Sequence, residues 1–461
     1  MKNQSKIIIG VALLVAGLAS CRKGDDLYTS PNQPITATAA SMLSACEVGT
    51  FNSQEGGTVR IASILMQNSS GVGGQMTQPE QYSLLESDMD NYWNTLYPTM
   101  LNCKLLIDTY GGDLNPNYRG IAKVLMAMNL GMTTDMWGDC PYSEAFQGAS
   151  GNYTPHFDPQ QNVLNSIQTL LDGAIADLAN TNNHISPGTD DFVFNGNVAA
   201  WTKVAWTLKA RYYMRLSKKA GFDANIVLTD LANGIASNDD NCNTIHGAGA
   251  SEGNQWASFL DNRPGYIVAS QSLIDSMGNM TDPRTPYYFD TTGVGSATGN
   301  VIGNSDGAVS GWGPYVGGYD DQGYTNGNKN LPMVSYAEAL FLEAEAKARL
   351  GDGTAFTSLN NAIMASVQEV TGNANDGSSI ATYTGANTDL HTVILEKWKA
   401  MFANPIESYS DYRRTGFPVL MVNPNGLVSF IPKRMPTSLQ ERSGNPNAPV
   451  PAISTPVWYA Q

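Results

Sequence analysis

The chain has little of what most enzymes and nucleic-acid binders need. Its 461 residues include only four histidines, at positions 156, 184, 246 and 391. They lie too far apart for an HExxH or any other metal-ligand spacing, so no metal site is readable. Five cysteines form no CxxC pair. Cys103 and Cys140 sit in apolar surroundings and read as buried thiols rather than disulfide partners. Basic residues are scarce, 26 Lys and Arg against 41 Asp and Glu for a net charge of −15. With no basic stripe to meet phosphates, a nucleic-acid partner is excluded. "GVGSATG" at 293–299 lacks the lysine of a phosphate-binding loop and the strand–helix setting of a dinucleotide fingerprint. No cofactor is indicated.

Long hydrophobic runs are missing too. The longest, "IIIGVALLVAGLAS" at 7–20, is too short to span a bilayer. Lys2 and Lys6 precede it and small residues follow, the pattern of a secretory signal covering 1–20. Leu18-Ala19-Ser20-Cys21 resembles a bacterial lipobox, in which Cys21 is lipidated and becomes the first mature residue. Acyl chains there would anchor the protein without a transmembrane segment. Removal of 1–20 leaves 24 basic against 41 acidic residues, a net −17. An anionic membrane surface repels such a chain, so the lipid must do the anchoring. Residues 21–34 form a polar tether, and Asp25-Asp26 resemble a surface-export signal.

What is there in quantity is helical periodicity. Apolar residues at 85, 89, 92, 96, 100, 103, 106 and 110 recur by threes and fours, predicting a helix over 84–110 that Pro98 should kink. Asn115 and Pro116 open a second helix over 116–137, closed by Gly138. Asp158-Pro159-Gln160-Gln161 reads as a capping-box variant opening a third. The helices fall into pairs at about 84–137, 159–219, 333–371 and 388–416. Each has one apolar stripe that only stacking can bury. The fold class expected is mostly α, a tetratricopeptide-like helical-repeat scaffold within a single domain over 35–461. A loop-rich insert at about 240–331 interrupts it. That insert, and a smaller loop at 67–82, are too long and irregular to be mere connections.

Several blocks together carry a family resemblance: "NYWNTLYPTMLN" at 91–102, "AKVLMAMNLGMTTDMWGDCPYSEAFQG" at 122–148, "SYAEALFLEAEAKARLG" at 335–351, "YSDYRRTGFPVL" at 409–420, "IPKRMPTSLQE" at 431–441 and "TPVWY" at 455–459. In this order, after a lipobox, they resemble the SusD/RagB family of nutrient-binding outer-membrane lipoproteins. The resemblance implies a lipoprotein on the outer face of the outer membrane, held by lipid on Cys21. It implies capture of oligosaccharides, in some members peptides, for a SusC-like TonB-dependent transporter, without hydrolysis. The family's binding residues come from variable loops, so no site transfers residue by residue.

The chemistry of the residues selects the loops as well. A pyranose has an apolar C–H face and a rim of hydroxyls, which flat rings and polar side chains match respectively. Trp312, Tyr315, Tyr319 and Tyr324 are interleaved with Asn300, Asn304, Asp306, Asp320, Asp321, Asn326 and Asn328. Ligand contact is therefore expected from Trp312, Tyr315, Tyr319, Tyr324, Asp320 and Asp321, with Tyr82, Gln75 and Gln78 from the smaller loop. Asp320 and Asp321 fall far short of the oxygens a calcium ion needs. "TDMWGDCPYSEAFQG" at 134–148 gathers acids and a cysteine but no base beside Cys140, and Asp139 would raise the thiol pKa. It reads as a structural turn, and no catalytic residue is assigned. Glu345 and Arg349 read as a helix-face pair, and Arg413 and Arg414 as partners for internal acids. A peptide ligand, or a surface glycoside hydrolase, are the alternatives.

Overall fold

The computed structural model describes residues 37–247, 252–291, 295–304, 309–316 and 327–461. Cys21 and its tether lie outside these residues, as do Tyr319, Asp320, Asp321 and Tyr324. The fold is mostly α-helical and of tetratricopeptide-like type. Helices α1 (Ala39–Gln54) and α2 (Gly57–Leu65) precede the first pair, α3 (Asp90–Leu105) and α4 (Pro116–Trp137). The second pair is α5 (Gln160–Leu178) and α6 (Val198–Met214). Later come α7 (Gln255–Asn262), the pair α8 (Tyr336–Leu350) and α9 (Ala355–Thr371), and the pair α10 (Leu390–Ala400) and α11 (Pro405–Thr415). Among the described residues, no helix is long and apolar enough to cross a membrane.

Helix α4 is the axis of the first half. It packs against α1, α3, α5 and α6, so Val124, Met126 and Leu130 are buried along with the expected stripe of Ile121, Leu125, Met128, Met132 and Met136. A helix buried on all sides is apolar on all sides, which dilutes the periodic signal. Its start matches expectation at Pro116, but Asn115 does not cap it by side chain. Asn115 Oδ1 instead accepts from the Ile185 N–H. Helix α5 likewise opens without help from Asp158, whose carboxylate accepts from the N–H groups of Tyr142 and Ser143. Asp139 takes over, accepting the Gln160 N–H at 2.8 Å.

The helix pairs are joined by a buried network of charges. Arg211 on α6 meets Glu338 on α8 (2.6 Å), and Arg215 meets Asp135 on α4 (3.0 Å) and Glu407 on α11 (2.6 Å). Lys397 on α10 pairs with Asp411 at 2.9 Å, and Arg414 with Asp411 and Glu345. Arg413 lies 3.8 Å above the Tyr409 ring and donates to the Asp135 carbonyl. Both arginines of "YRRTG" are therefore internal. Glu345 also accepts from Arg349 at 2.8 Å, the helix-face pair expected.

Short strands tie the insert to the scaffold. β1 (Ser69–Gly71) pairs antiparallel with β3 (Ile267–Ala269), and β2 (Cys242–Asn243) with β4 (Pro332–Val334).

Candidate functional site

The smaller loop and the insert, far apart in sequence, meet at the β1–β3 ribbon. Ser69 lies opposite Ala269 and Gly71 opposite Ile267. Beyond the ribbon the Tyr266 carbonyl accepts from the N–H groups of Val72 and Gly73. The chain must then turn at Gly74, where φ is +48° and a Cβ would stand 2.2 Å from the Tyr266 ring; only glycine fits. Asn300, which bridges to Ser270, donates its amide to Ser70 Oγ at 2.7 Å.

A third segment, 419–427, closes the arrangement. Asn423 donates its backbone N–H to Tyr82 Oη (2.9 Å) and its side-chain amide to the Glu80 carbonyl (2.6 Å). The Leu427 N–H donates to the Gln81 carbonyl, and Gln67 donates to the Met421 carbonyl. Asn425 reaches across to the Gly303 carbonyl at 2.6 Å. Gly303 has φ of +85° and lies so close to Pro424 that a Cβ would be 2.8 Å from its ring.

Between the three segments is a cavity of about 190 Å³, with Thr77, Glu80, Gln81, Asn304, Asn423 and Asn425 among its lining residues. Glu80 forms its inner wall, accepting from Ser70 Oγ (3.0 Å) and the Gly71 N–H (2.9 Å). Burial raises the Glu80 pKa, and these two hydrogen bonds offset the rise only in part. Gln81 and Asn304 are exposed. Their side chains make no hydrogen bond to another described residue, so each offers a donor and an acceptor to a ligand. Glu80 is the one carboxylate among the described lining residues. A glycosidase site would need a second acid across the scissile bond.

The structure reverses the expectation for the tryptophan and two of the tyrosines. Trp312 is 2% exposed. Its ring lies 4.8 Å from Trp256 and 4.9 Å from Phe402, and its N–H donates to the Ile267 carbonyl. Tyr315 is buried against Tyr288 and donates to Glu369 at 2.9 Å. Tyr82 is buried with φ of +60°, its hydroxyl accepting from Asn423. An insert with few aliphatic side chains must build its core from aromatics, and these rings do that. Gln78 is half-buried in the short helix Thr77–Glu80, and Gln75 is exposed. The neighbouring Thr77 and Gln81 line the cavity instead. Of the polar residues singled out in the insert, Asn304 reaches it. Asn423, Asn425 and Gln81 escaped sequence reasoning. "NPNG" at 423–426 is a plain turn signal, and nothing local says which loops it faces.

A larger cavity of about 420 Å³ opens between Val48, Phe51, Phe192, Ile245 and His246. It suits a hydroxyl-rich ligand poorly. Its walls are largely apolar, and both His246 ring nitrogens are engaged, with Glu55 at 2.8 Å and the Glu252 carbonyl at 3.1 Å. Burial alone would lower the His246 pKa, but Glu55 outweighs it and the net shift is upward.

Residues 134–137 end helix α4, and the chain turns over 138–148. Cys140 is fully buried, its thiol pKa pushed well up by burial and by Asp158 and Asp139. Trp137 donates to the Pro436 carbonyl, and Glu144 accepts from the His156 N–H. All four described cysteines are buried and free. No group of three or more His, Cys, Asp or Glu among the described residues could hold a metal ion.

A SusD-like family model, described as "Starch-binding associating with outer membrane", matches residues 31–437. The chain belongs to the SusD-like family. Proteins of this family bind rather than catalyse, are carbohydrate-binding and associate with the outer membrane. Among solved structures, a SusD/RagB family protein from Bacteroides thetaiotaomicron is similar at 25% identity and TM-score 0.78, over 92% of this chain and 99% of that one. A chitin-binding protein matches at 24% identity and TM-score 0.77, over 92% and 100% of the two chains. A chitin-binding SusD homolog from Flavobacterium johnsoniae matches at 21% and 0.75, over 91% and 98%. These last two likenesses establish the fold alone. No protein with a curated description matches the sequence.

Proposed function

We propose that this SusD-like protein is a cell-surface lipoprotein that captures oligosaccharides at the three-loop cavity and delivers them to a SusC-like TonB-dependent transporter. Cys21, lipidated, holds it on the outer face of the outer membrane. The observation that carries the ligand assignment is the pairing of a rigid wall with unengaged amides. Backbone and side-chain hydrogen bonds lock segments 67–82, 300–304 and 419–427 together. Gln81 and Asn304 stand at the opening without described partners. Because the backbone that carries these amides is already ordered, a ligand has to fix only the two side chains. Tyr266, half-buried beside the Gly73–Gly74 turn, offers a flat face at the end of the β1–β3 ribbon. Tyr319, Tyr324, Asp320 and Asp321 remain proposed contributors from the same insert.

The test is a glycan-array screen of the mature protein, repeated with Asn304→Ala and Asn425→Ala together. Binding to a glycan family that the double variant loses supports the assignment. Binding confined to peptides, or cleavage products in the incubated glycans, would replace it with one of the alternatives.

A further inference from the structure

We infer that Cys46 and Cys103 are a disulfide site, oxidised as the chain is exported. The inference rests on export to the outer membrane and is independent of where the ligand binds.

Cys46 lies on α1 and Cys103 on α3, and the two helices pack against each other. Their register is antiparallel: Gly49, one turn after Cys46, faces Thr99, one turn before Cys103. The approach is close, because a Cβ on Gly49 would collide with the Thr99 side chain. Gly57 and Tyr92 continue the same register into α2. Both cysteines are fully buried, and the Cys103 thiol lies within hydrogen-bonding reach of the Cys46 thiol. A disulfide needs Cα atoms about 4.4–6.8 Å apart, the separation of directly facing residues on closely packed helices. The other two described cysteines have different neighbours. Cys140 lies against Tyr97 and Thr134, and Cys242 is near Glu47 and Asp191.

A chain bound for the outer membrane crosses the periplasm, where disulfides form and persist. One cysteine, as thiolate, attacks the disulfide of a periplasmic thiol–disulfide oxidoreductase and expels one of its sulfurs. The second cysteine then displaces the oxidoreductase from the mixed disulfide. The bond between the two Sγ atoms forms, and the two electrons and two protons leave on the oxidoreductase as its dithiol. In the folded protein the neighbouring Cys46 thiol and burial push the Cys103 pKa well up. Little thiolate is left there to attack, so oxidation precedes the packing of α1 on α3, and the finished bond is sealed from reductants. The loop it closes, 46–103, contains the 67–82 segment that lines the cavity. Closing that loop restrains the unfolded chain and so stabilises the fold.

The experiment expresses the full chain with its own N-terminus in a Gram-negative host. Cells are quenched in acid, and the protein is unfolded and labelled with N-ethylmaleimide, then reduced and labelled with iodoacetamide. Peptide mapping by mass spectrometry should find the first label on Cys140 and Cys242 and the second on Cys46 and Cys103. Without reduction, the Cys46 and Cys103 peptides should appear joined, with two hydrogens lost. Protein refolded under reductant should melt roughly 5 °C below the oxidised protein, and Cys103→Ala should show no such difference. First label on Cys46 and Cys103 at the level found on Cys140 would overturn the inference, as would a bond from either to Cys140 or Cys242. Labelling is done on unfolded wild-type chains, so it decides the matter even where Cys103→Ala fails to fold.

Discussion

Trp312 donates its indole N–H to the carbonyl oxygen of Ile267 at 3.2 Å, and so holds the strand that pairs with Ser69–Gly71. One buried ring thus fixes the register of the ribbon on which the cavity is built. At the proposed site the side chain would therefore act through position rather than contact.

Trp312→Ala should therefore destabilise the protein. Removing a ring packed between Trp256 and Phe402 leaves a cavity costing about 3–5 kcal/mol. The melting temperature should fall by several degrees, and glycan retention should decline with it. An unchanged melting temperature with retention abolished would restore Trp312 as a surface platform.

How far the sequence could be read follows from such residues. The scaffold was legible because α3, α5 and α9 each bury one stripe, and apolar periodicity reports that directly. The site's neighbourhood was legible because loops as long as 67–82 and the insert need a reason to exist. The direction of a ring was not. Trp312 and an exposed tryptophan have the same neighbours in sequence, Gly311 and Gly313; burial depends on Trp256 and Phe402, 56 residues before and 90 after. Asn425 faces Gly303 across 122 residues of sequence, so its place at the cavity is set by tertiary contact.

Glu47 gives the stability a pH dependence. Its pKa is raised from 4.5 to about 10, first by burial and then by the hydrogen bond and negative charge of Asp191. Asp191 is held in place by the N–H groups of Phe194 and Gly196 and the Trp201 indole. A carboxyl with a raised folded pKa is protonated when folded and ionised when unfolded between these two values. The unfolded state then binds fewer protons, so stability falls as pH rises from about 4.5 towards about 10. Glu47→Gln keeps a donor and removes this slope. Urea midpoints of the variant should exceed those of the wild type at pH 9 and converge with them near pH 5. Parallel profiles would show that Glu47 is ionised in the folded protein.

Arg414 should prove structural rather than ligand-binding. It is fully buried, and its guanidinium with Arg349 holds the Glu345 carboxyl below its usual range against the upward pull of burial. Arg414→Ala strands Glu345 and Asp411 without that partner, at a cost of about 3–5 kcal/mol. Denaturation should show the loss. The folded fraction that remains should bind glycan with wild-type affinity, and weakened binding in that fraction would place Arg414 at the site.

Asn304, Asn425 and Asn423 form a graded series at the cavity. The Asn304 side chain is exposed and makes no described hydrogen bond, so Asn304→Ala should leave the melting temperature within about 1 °C of wild type. A ligand hydrogen bond is worth about 0.5–1.5 kcal/mol net, so glycan affinity should drop by about two- to tenfold. Asn425 also anchors the Gly303 carbonyl, and Asn425→Ala should lose affinity with a small loss of stability. Asn423 is buried, donating to the Glu80 carbonyl and accepting the Asn425 N–H. Asn423→Ala should act mainly on stability, by about 1–3 kcal/mol, because it leaves the buried Glu80 carbonyl without its amide donor. Isothermal titration alongside thermal melts separates the three. If Asn304→Ala binds as tightly as wild type while Asn423→Ala does not, the ligand lies elsewhere and the cavity merely supports it.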